Sequence, residues 1–311
     1  MDKIAVVIPI YGSPNSLNEL VERLIATLGE LTKNYEVILV EDHCPKNSWE
    51  AVENLCLTYK EVKGIKFSKN FGQHYAILAG LRKTDADYVV VMDCDLQDHP
   101  EDIPALYKKI KQGFDKVFVK RINRKHSLLE RFTSKIFYKF LSYMTDTQQD
   151  ASIGNFGIYS RSVTKEISQL TETARLFPVH ARWVGFNDAH IEIIHKERHD
   201  EGVSSYTFRK RLALAIDIAL SFSEKPLWLV IKFGFSISAL SFFYALYTLT
   251  NWLFGGVTVE GWTSLIISVW LLSGIIIAIL GVVGVYVAKT FDETKSRPLY
   301  IIEKEINMEG M

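Results

Sequence analysis

The chain has 311 residues, and its 36 Lys plus Arg balance 36 Asp plus Glu. That balance leaves no global charge to attract nucleic acid, and none is expected as a partner. Three cysteines (Cys44, Cys56 and Cys94) are odd in number and lack metal-ligand spacing. They fit a reducing compartment and exclude a disulfide framework.

The opening "KIAVVIPIYG" is short and strand-like and lacks the basic-then-apolar pattern of a signal peptide. A cytoplasmic N-terminus is expected. "IAVVIPI" leads into a helix over 16–31, with an apolar face at Leu17, Leu20, Val21, Leu24 and Leu28. "YEVILVED" precedes a helix over 48–59, "KGIKFSKN" one over 74–82, and "DYVVVMDCD" one over 103–111. Short continuous apolar strands alternating with amphipathic helices predict an α/β fold whose mostly parallel sheet is covered on both faces. Ligands of such sheets bind beyond the carboxyl ends of the strands, here residues 9–12, 41–43, 68–72 and 93–98.

The fourth strand end reads "VVVMDCDLQDHPED" and crowds Asp93, Asp95, Asp98, Glu101 and Asp102 together. These carboxylates repel one another unless a cation sits among them. Asp-x-Asp at a strand end offers two hard oxygen ligands to one divalent ion, with Cys94 turned the other way. Mg²⁺ or Mn²⁺ favours such ligands and bridges to substrate phosphates; solvated loop acids are the alternative. Neither G-x-x-x-x-G-K-[ST] nor a G-x-G-x-x-G after a strand is present. A nucleotide diphosphate held through a metal is the reading left standing.

Further along, Leu128, Leu129, Phe132, Ile136, Phe137, Phe140 and Leu141 recur at helical spacing, with Arg124, Lys125, Arg131, Lys135 and Lys139 between them. This reads as an amphipathic helix over about 126–144 lying in a membrane interface, or else as a core-facing helix. Residues 233–259 and 261–288 carry no charge, and each run exceeds the ~20 residues that cross a bilayer as a helix. Two transmembrane helices are expected at about 229–250 and 264–288, with Trp252 and Trp262 as interfacial anchors. Arg209, Lys210, Arg211, Lys225 and Lys232 precede the hairpin, and Lys289, Lys295 and Arg297 follow it. The positive-inside rule puts both ends in the cytoplasm. The expected organisation is a cytoplasmic domain over 1–225, with a juxtamembrane helix at about 207–223, then the hairpin over 226–290 and a cytoplasmic tail over 291–311.

The segments "VVIPIYG", "VED", "SKNFGQHYAILAGL", "DCDLQDHPEDIP", "RWVGF" and "RPLY" resemble the membrane-tethered inverting glycosyltransferases of family two. Within it the chain is most similar to the polyprenyl-phosphate glycosyltransferases: dolichyl-phosphate mannose synthase, the bactoprenol glucosyltransferases and the undecaprenyl-phosphate aminoarabinose transferase. The resemblance covers nearly the whole chain. It implies a GT-A (Rossmann-like) domain, a nucleotide-diphosphate sugar donor, a divalent metal (Mg or Mn), a polyprenyl phosphate acceptor, an inner-membrane location and a homo-oligomer. By the same resemblance, Pro9 and Tyr11 would hold the nucleobase, and Asp42 would contact the nucleoside, unless it caps the next helix. Asp93 and Asp95, with Gln97, match the metal and diphosphate motif. His74 matches the aminoarabinose branch, either at the donor or as a helix cap. Arg121 and Arg131 match arginines facing the acceptor phosphate. Arg198 fits a basic loop closing over the site, where Arg209 and Lys210 would supply the charge that many members carry at the position of Ser205.

Two departures matter. The family usually follows the acid at position 42 with Gly-Ser, whereas this chain has His43 and Cys44. Many relatives have aspartate where Asn155 stands. An aspartate there would act as general base toward an acceptor hydroxyl, whereas a phosphate monoester, with a second pKa of about 6, needs none. Asn155 therefore weighs toward a lipid phosphate, unless Asp150 supplies the acid. The function expected is inverting transfer of a sugar to polyprenyl phosphate. The rivals are transfer to a sugar hydroxyl, and a degenerate relative without catalysis.

Overall fold

The computed structural model describes residues 2–12, 14–122, 137, 139–140, 142–144, 153–172, 176–194, 223–254 and 261–308. The chain divides into two units: one over 1–205 and 297–311, the other over 206–296.

The first unit is built on one sheet of eight strands in the order β7-β5-β6-β4-β1-β2-β3-β8. Strands β1 (Ile4–Ile10), β2 (Tyr35–Glu41), β3 (Val62–Phe67) and β4 (Tyr88–Val91) run parallel, as do β5 (Lys116–Ile122) and β7 (Asp188–Ile194). Between β4 and β5 lies β6 (Ile153–Ser160), antiparallel to both. Every residue of β1 is buried, as expected for a strand covered on both faces. Ile4, Val6, Ile8 and Ile10 point to one face, where α1 (Pro14–Leu31), α2 (Ser48–Thr58) and α4 (Ile103–Ile110) pack. Ala5 and Val7 point to the other, under α3 (Gln73–Arg82), α5 (Arg161–Gln169) and α6 (Phe177–Trp183).

The apolar stripe read along the first helix is buried as a unit: Leu17, Leu20, Val21, Leu24 and Leu28 expose nothing. Helix α3 lies so close to β1 that a β-carbon at Gly80 would collide with Val7, which is why the smallest residue stands there. A short 3₁₀ turn, Pro100–Asp102, leads into α4.

The final segment differs from the tail expected over 291–311. Residues Ile302–Ile306 form β8, which pairs antiparallel with β3 and ends the sheet. Its Ile302 and Ile306 are half-buried while Glu303, Lys304 and Glu305 face solvent, a charged pattern that protects an exposed edge. Lys66–Glu303 and Lys83–Glu305 ion pairs hold it at 3.2 and 2.8 Å. Asn307 completes the attachment, donating to the Cys56 and Val62 carbonyls at 2.8 Å each. The alternation in "IIEKEI" carries too few apolar positions to announce a strand without its partner in view.

The second unit contains two long helices, α7 (Lys225–Leu253) and α8 (Trp262–Thr294). Both are long and apolar enough to cross a membrane, with mean hydropathy 1.6 over Lys225–Tyr244 and 2.6 over Ser268–Thr294. Phe233, Phe242 and Phe243 on α7 and Trp270, Ile277 and Leu280 on α8 are exposed. Helices that are apolar all round and, among the described residues, not covered by other elements match a lipid environment. The helices run further at their ends than the spans read from the uncharged runs, taking in Lys225 on α7 and Lys289, Asp292 and Glu293 on α8.

Candidate active site

The carboxyl ends of β1, β2 and β4 and the loop after β3 converge on one edge. Just beyond β4, Asp93 and Asp95 are half-buried while Cys94 between them is 7 % exposed and belongs to the core. Alternation past the strand end thus turns both acids to the edge and the thiol inward, where burial pushes its pKa up to about 11. Ser16 at the start of α1 donates to the Cys94 carbonyl at 2.9 Å and fixes the turn. Asp95 Oδ1 accepts the Gln97 amide at 3.1 Å, across Leu96, which takes a left-handed φ of 59°.

Two side-chain amides meet on one oxygen of Asp93. Gln73 Nε2 donates to Oδ1 at 3.3 Å and Asn155 Nδ2 donates to the same atom at 3.4 Å. Gln73 opens α3, and Asn155 lies on β6 and is buried. An ionised carboxylate only accepts, so the nitrogen of each amide must face it. Gln73 was not among the candidate residues read from the sequence. Its place after the β3 end in "NFGQH" was the available signal.

Asp42 is 2 % exposed, and its two oxygens accept the Phe71 and Gly72 amides at 2.7 and 2.8 Å. It therefore pins the loop ahead of α3, whereas α2 takes Asn47 as its N-cap residue. Burial raises the Asp42 pKa, and the two backbone donors oppose that rise. Gly72 has φ 104°, a conformation that only glycine adopts without strain, so the loop can turn its amide to Asp42.

Positions 43 and 44 form a hydrogen-bonded turn of their own. His43 adopts φ 48°, in the left-handed region that glycine enters with least strain. Cys44 Sγ accepts the Gly12 and Lys46 amides at 3.0 and 3.3 Å. The Cys44 amide in turn donates to Glu41, a buried acid whose pKa burial raises.

Pro9 is buried within β1, and Tyr11 just beyond it is 55 % exposed at the ligand edge. His74 is half-buried, and its Nδ1 accepts the Phe177 amide at 3.3 Å, tying α3 to the start of α6. Burial, reinforced by the nearby His180, lowers its pKa to about 4, so the ring is neutral and able to accept. Arg121 lies on β5 opposite Ile193 of β7. Its side chain lies outside the described residues, as do Arg131, Asp150, Arg198, Arg209 and most of the expected helices over about 126–144 and 207–223.

Among the described residues, no three His, Cys, Asp or Glu side chains group as a metal cage. A pair of carboxylates at a strand end is nonetheless the donor set that Mg²⁺ uses when substrate phosphates complete its shell. Asp93 and Asp95 fit such an ion.

The sheet covered on both faces, with an Asp-x-Asp at the end of a central strand, agrees with a GT-A-type α/β fold. The chain belongs to glycosyl transferase family 2, whose family model matches residues 5–168. It is therefore a glycosyltransferase, and the full-length comparisons agree. It is 36 % identical over 307 residues to an uncharacterised glycosyltransferase, YkcC, of Bacillus subtilis, covering 98 % of this chain and 95 % of that one. It is 32 % identical over 311 residues to the undecaprenyl-phosphate 4-deoxy-4-formamido-L-arabinose transferase of Photorhabdus laumondii, covering 98 % and 94 %. Among solved structures, glucosyl-3-phosphoglycerate synthase of Mycobacterium tuberculosis aligns with TM-score 0.47 at 14 % identity, covering 71 % of this chain and 78 % of that one.

Proposed function

We propose that the protein transfers a sugar from a nucleotide diphosphate to polyprenyl phosphate at the cytoplasmic face of the membrane, inverting the anomeric centre. The observation that carries this reading is Asn155. Its amide is spent as a donor to Asp93, and an amide cannot take a proton from an acceptor hydroxyl. A phosphate monoester arrives already largely ionised near neutrality and asks for no base. Full-length similarity to an undecaprenyl-phosphate transferase supports the same acceptor.

In this reading Pro9, Tyr11 and Asp42 frame the nucleoside, Asp42 through the loop it holds. Asp93, Asp95 and Gln97 would hold Mg²⁺ or Mn²⁺, which when bound offsets the charge of the departing diphosphate. Gln73 and Asn155 orient Asp93. Arg121 and Arg131 would grip the acceptor phosphate with planar, bidentate forks, with Arg198 and Arg209 adding positive charge. Catalysis would come from orientation and electrostatics.

The orientation is supported by connectivity. Strands β1–β4 and β8 share one sheet, so the chain between them must cross a membrane an even number of times. Two apolar helices meet that condition, and the flanking Lys and Arg residues favour a cytoplasmic sheet. The test is mass spectrometry of lipid products after incubation with a panel of nucleotide sugars, with and without polyprenyl phosphate. A glycosylated polyprenyl phosphate is the expected product. Transfer to a sugar hydroxyl with no need for the lipid phosphate would overturn the proposal.

A further inference from the structure

We propose that Tyr300 is a positioning residue for the donor site: it docks the segment following α8 onto an aromatic relay that fixes the Gln73-bearing loop against Asp93. The proposal rests on the reading of that edge as the donor site. Its structural half stands on contacts within the first unit.

Tyr300 follows α8 by a few residues and stands two residues before β8. Its ring stacks on Phe67 at the end of β3, with centroids 5.1 Å apart and planes 18° apart. Phe67 meets Phe71 edge-to-face at 5.5 Å and 83°. The amide of Phe71 is one of the two that Asp42 holds, and Gln73, two residues on, reaches Asp93. The loop is thus gripped by Asp42 on one side and by the Tyr300–Phe67 stack on the other.

A second grip acts at the far end of α3. The Arg82 guanidinium lies 5.9 Å from the Tyr300 ring centroid, while its Nε donates to the Ser168 carbonyl at 2.9 Å. The Ser68 amide donates to the Ile301 carbonyl at 3.0 Å, which sets Tyr300 in register with Phe67. One side chain from beyond the hairpin therefore touches both the strand leading into the loop and the helix leading out of it. Contacts made only to stabilise an edge strand would not need to converge on that helix. The consequence is that order in the donor loop depends on the chain returning from the membrane.

The test uses the full-length protein in lipid nanodiscs. In Tyr300→Ala, amide exchange over residues 69–76 should quicken by about three- to tenfold, the worth of an aromatic pair, while exchange over β1 stays unchanged. KM for the nucleotide sugar should rise by a similar factor with kcat less affected. Tyr300→Phe should restore both, since stacking does not use the hydroxyl. Arg82→Gln, a milder change, should shift exchange in the same direction and serves if Tyr300→Ala fails to fold. Unchanged exchange over 69–76 in these variants, or faster exchange spread evenly over the whole sheet, would overturn the proposal. If exchange behaves as expected but no nucleotide sugar is used, the donor-site reading has failed and the relay has not.

Discussion

Asn155 donates to Asp93 Oδ1 from 3.4 Å away, on the oxygen that Gln73 also reaches. At this separation an amide and a carboxylate attract, whereas two carboxylates repel unless a proton or a cation lies between them. Asn155 therefore presents Asp93 with a donor in place of a second negative charge. Asn155→Asp should lower the thermal stability in chelator by about 1–3 kcal/mol, the cost of replacing one of the donors to half-buried Asp93 with a like charge. Mn²⁺ or Mg²⁺ should recover more stability in the variant than in wild type. Thermal unfolding with and without the ion measures this, and equal ion effects in the two proteins would contradict it.

His74 makes stability depend on pH. Its pKa is lowered to about 4, chiefly by burial, against about 6.5 when unfolded. Between those values the unfolded chain binds the extra proton, so the His74 contribution is fully present above pH 6.5 and is lost as pH falls through 4. The loss should reach about 3 kcal/mol. His74→Asn should flatten that slope in urea titrations at several pH values. An unaltered slope would mean that the proton goes elsewhere.

At His43 the backbone, not the side chain, sets tolerance. With φ at 48°, His43→Gly should leave stability within about 1 kcal/mol of wild type, because relieved strain offsets lost chain entropy. His43→Val, β-branched and poorly suited to that region, should cost about 1–2 kcal/mol. Chemical denaturation of the three proteins reads the difference.

Much of this was written in local pattern. The continuous apolar runs of β1 to β4 and the stripe on α1 announce a doubly covered sheet, since burial on both faces leaves no other composition. Asp93 and Asp95 stand out because acids at the end of an apolar strand have no packing role. What sequence hid depended on partners distant in the chain. Strand β8 is mostly charged and becomes a strand only beside β3. Asp42 gave no sign of turning to Phe71 and Gly72, nor His74 to the Phe177 amide. Gln73 joins Asn155 only because β6 inserts antiparallel next to β4, a crossover that periodicity does not encode.

The shared sheet makes topology testable. Cysteines placed one at a time in a chain lacking Cys44, Cys56 and Cys94 should report their side of the membrane to an impermeant thiol reagent. Thr258→Cys, between the two helices, should label from outside intact cells. Lys304→Cys, on the solvent face of β8, should label only after the cells are opened. External labelling at 304 would place the whole sheet outside and with it the nucleotide-sugar site.

The identity of the nucleophile can be read from rate against pH. If a lipid phosphate attacks, rate should rise through the phosphate's second pKa of about 6 and then level off, with no protein base in the profile. Asn155→Asp should bring no large gain, because the new carboxylate has no proton to remove and would repel the dianion. Arg131→Ala should cost about 2 kcal/mol or more in kcat/KM, the range for truncating a charge-assisted contact, mostly at subsaturating acceptor. The hydroxyl-acceptor alternative forecasts the reverse, with a restored acid accelerating transfer and the arginine mattering little. Steady-state kinetics of the two variants separate them: a tenfold gain for Asn155→Asp would transfer the mechanism to a protein base, and a flat response at Arg131 would remove the phosphate from its grip.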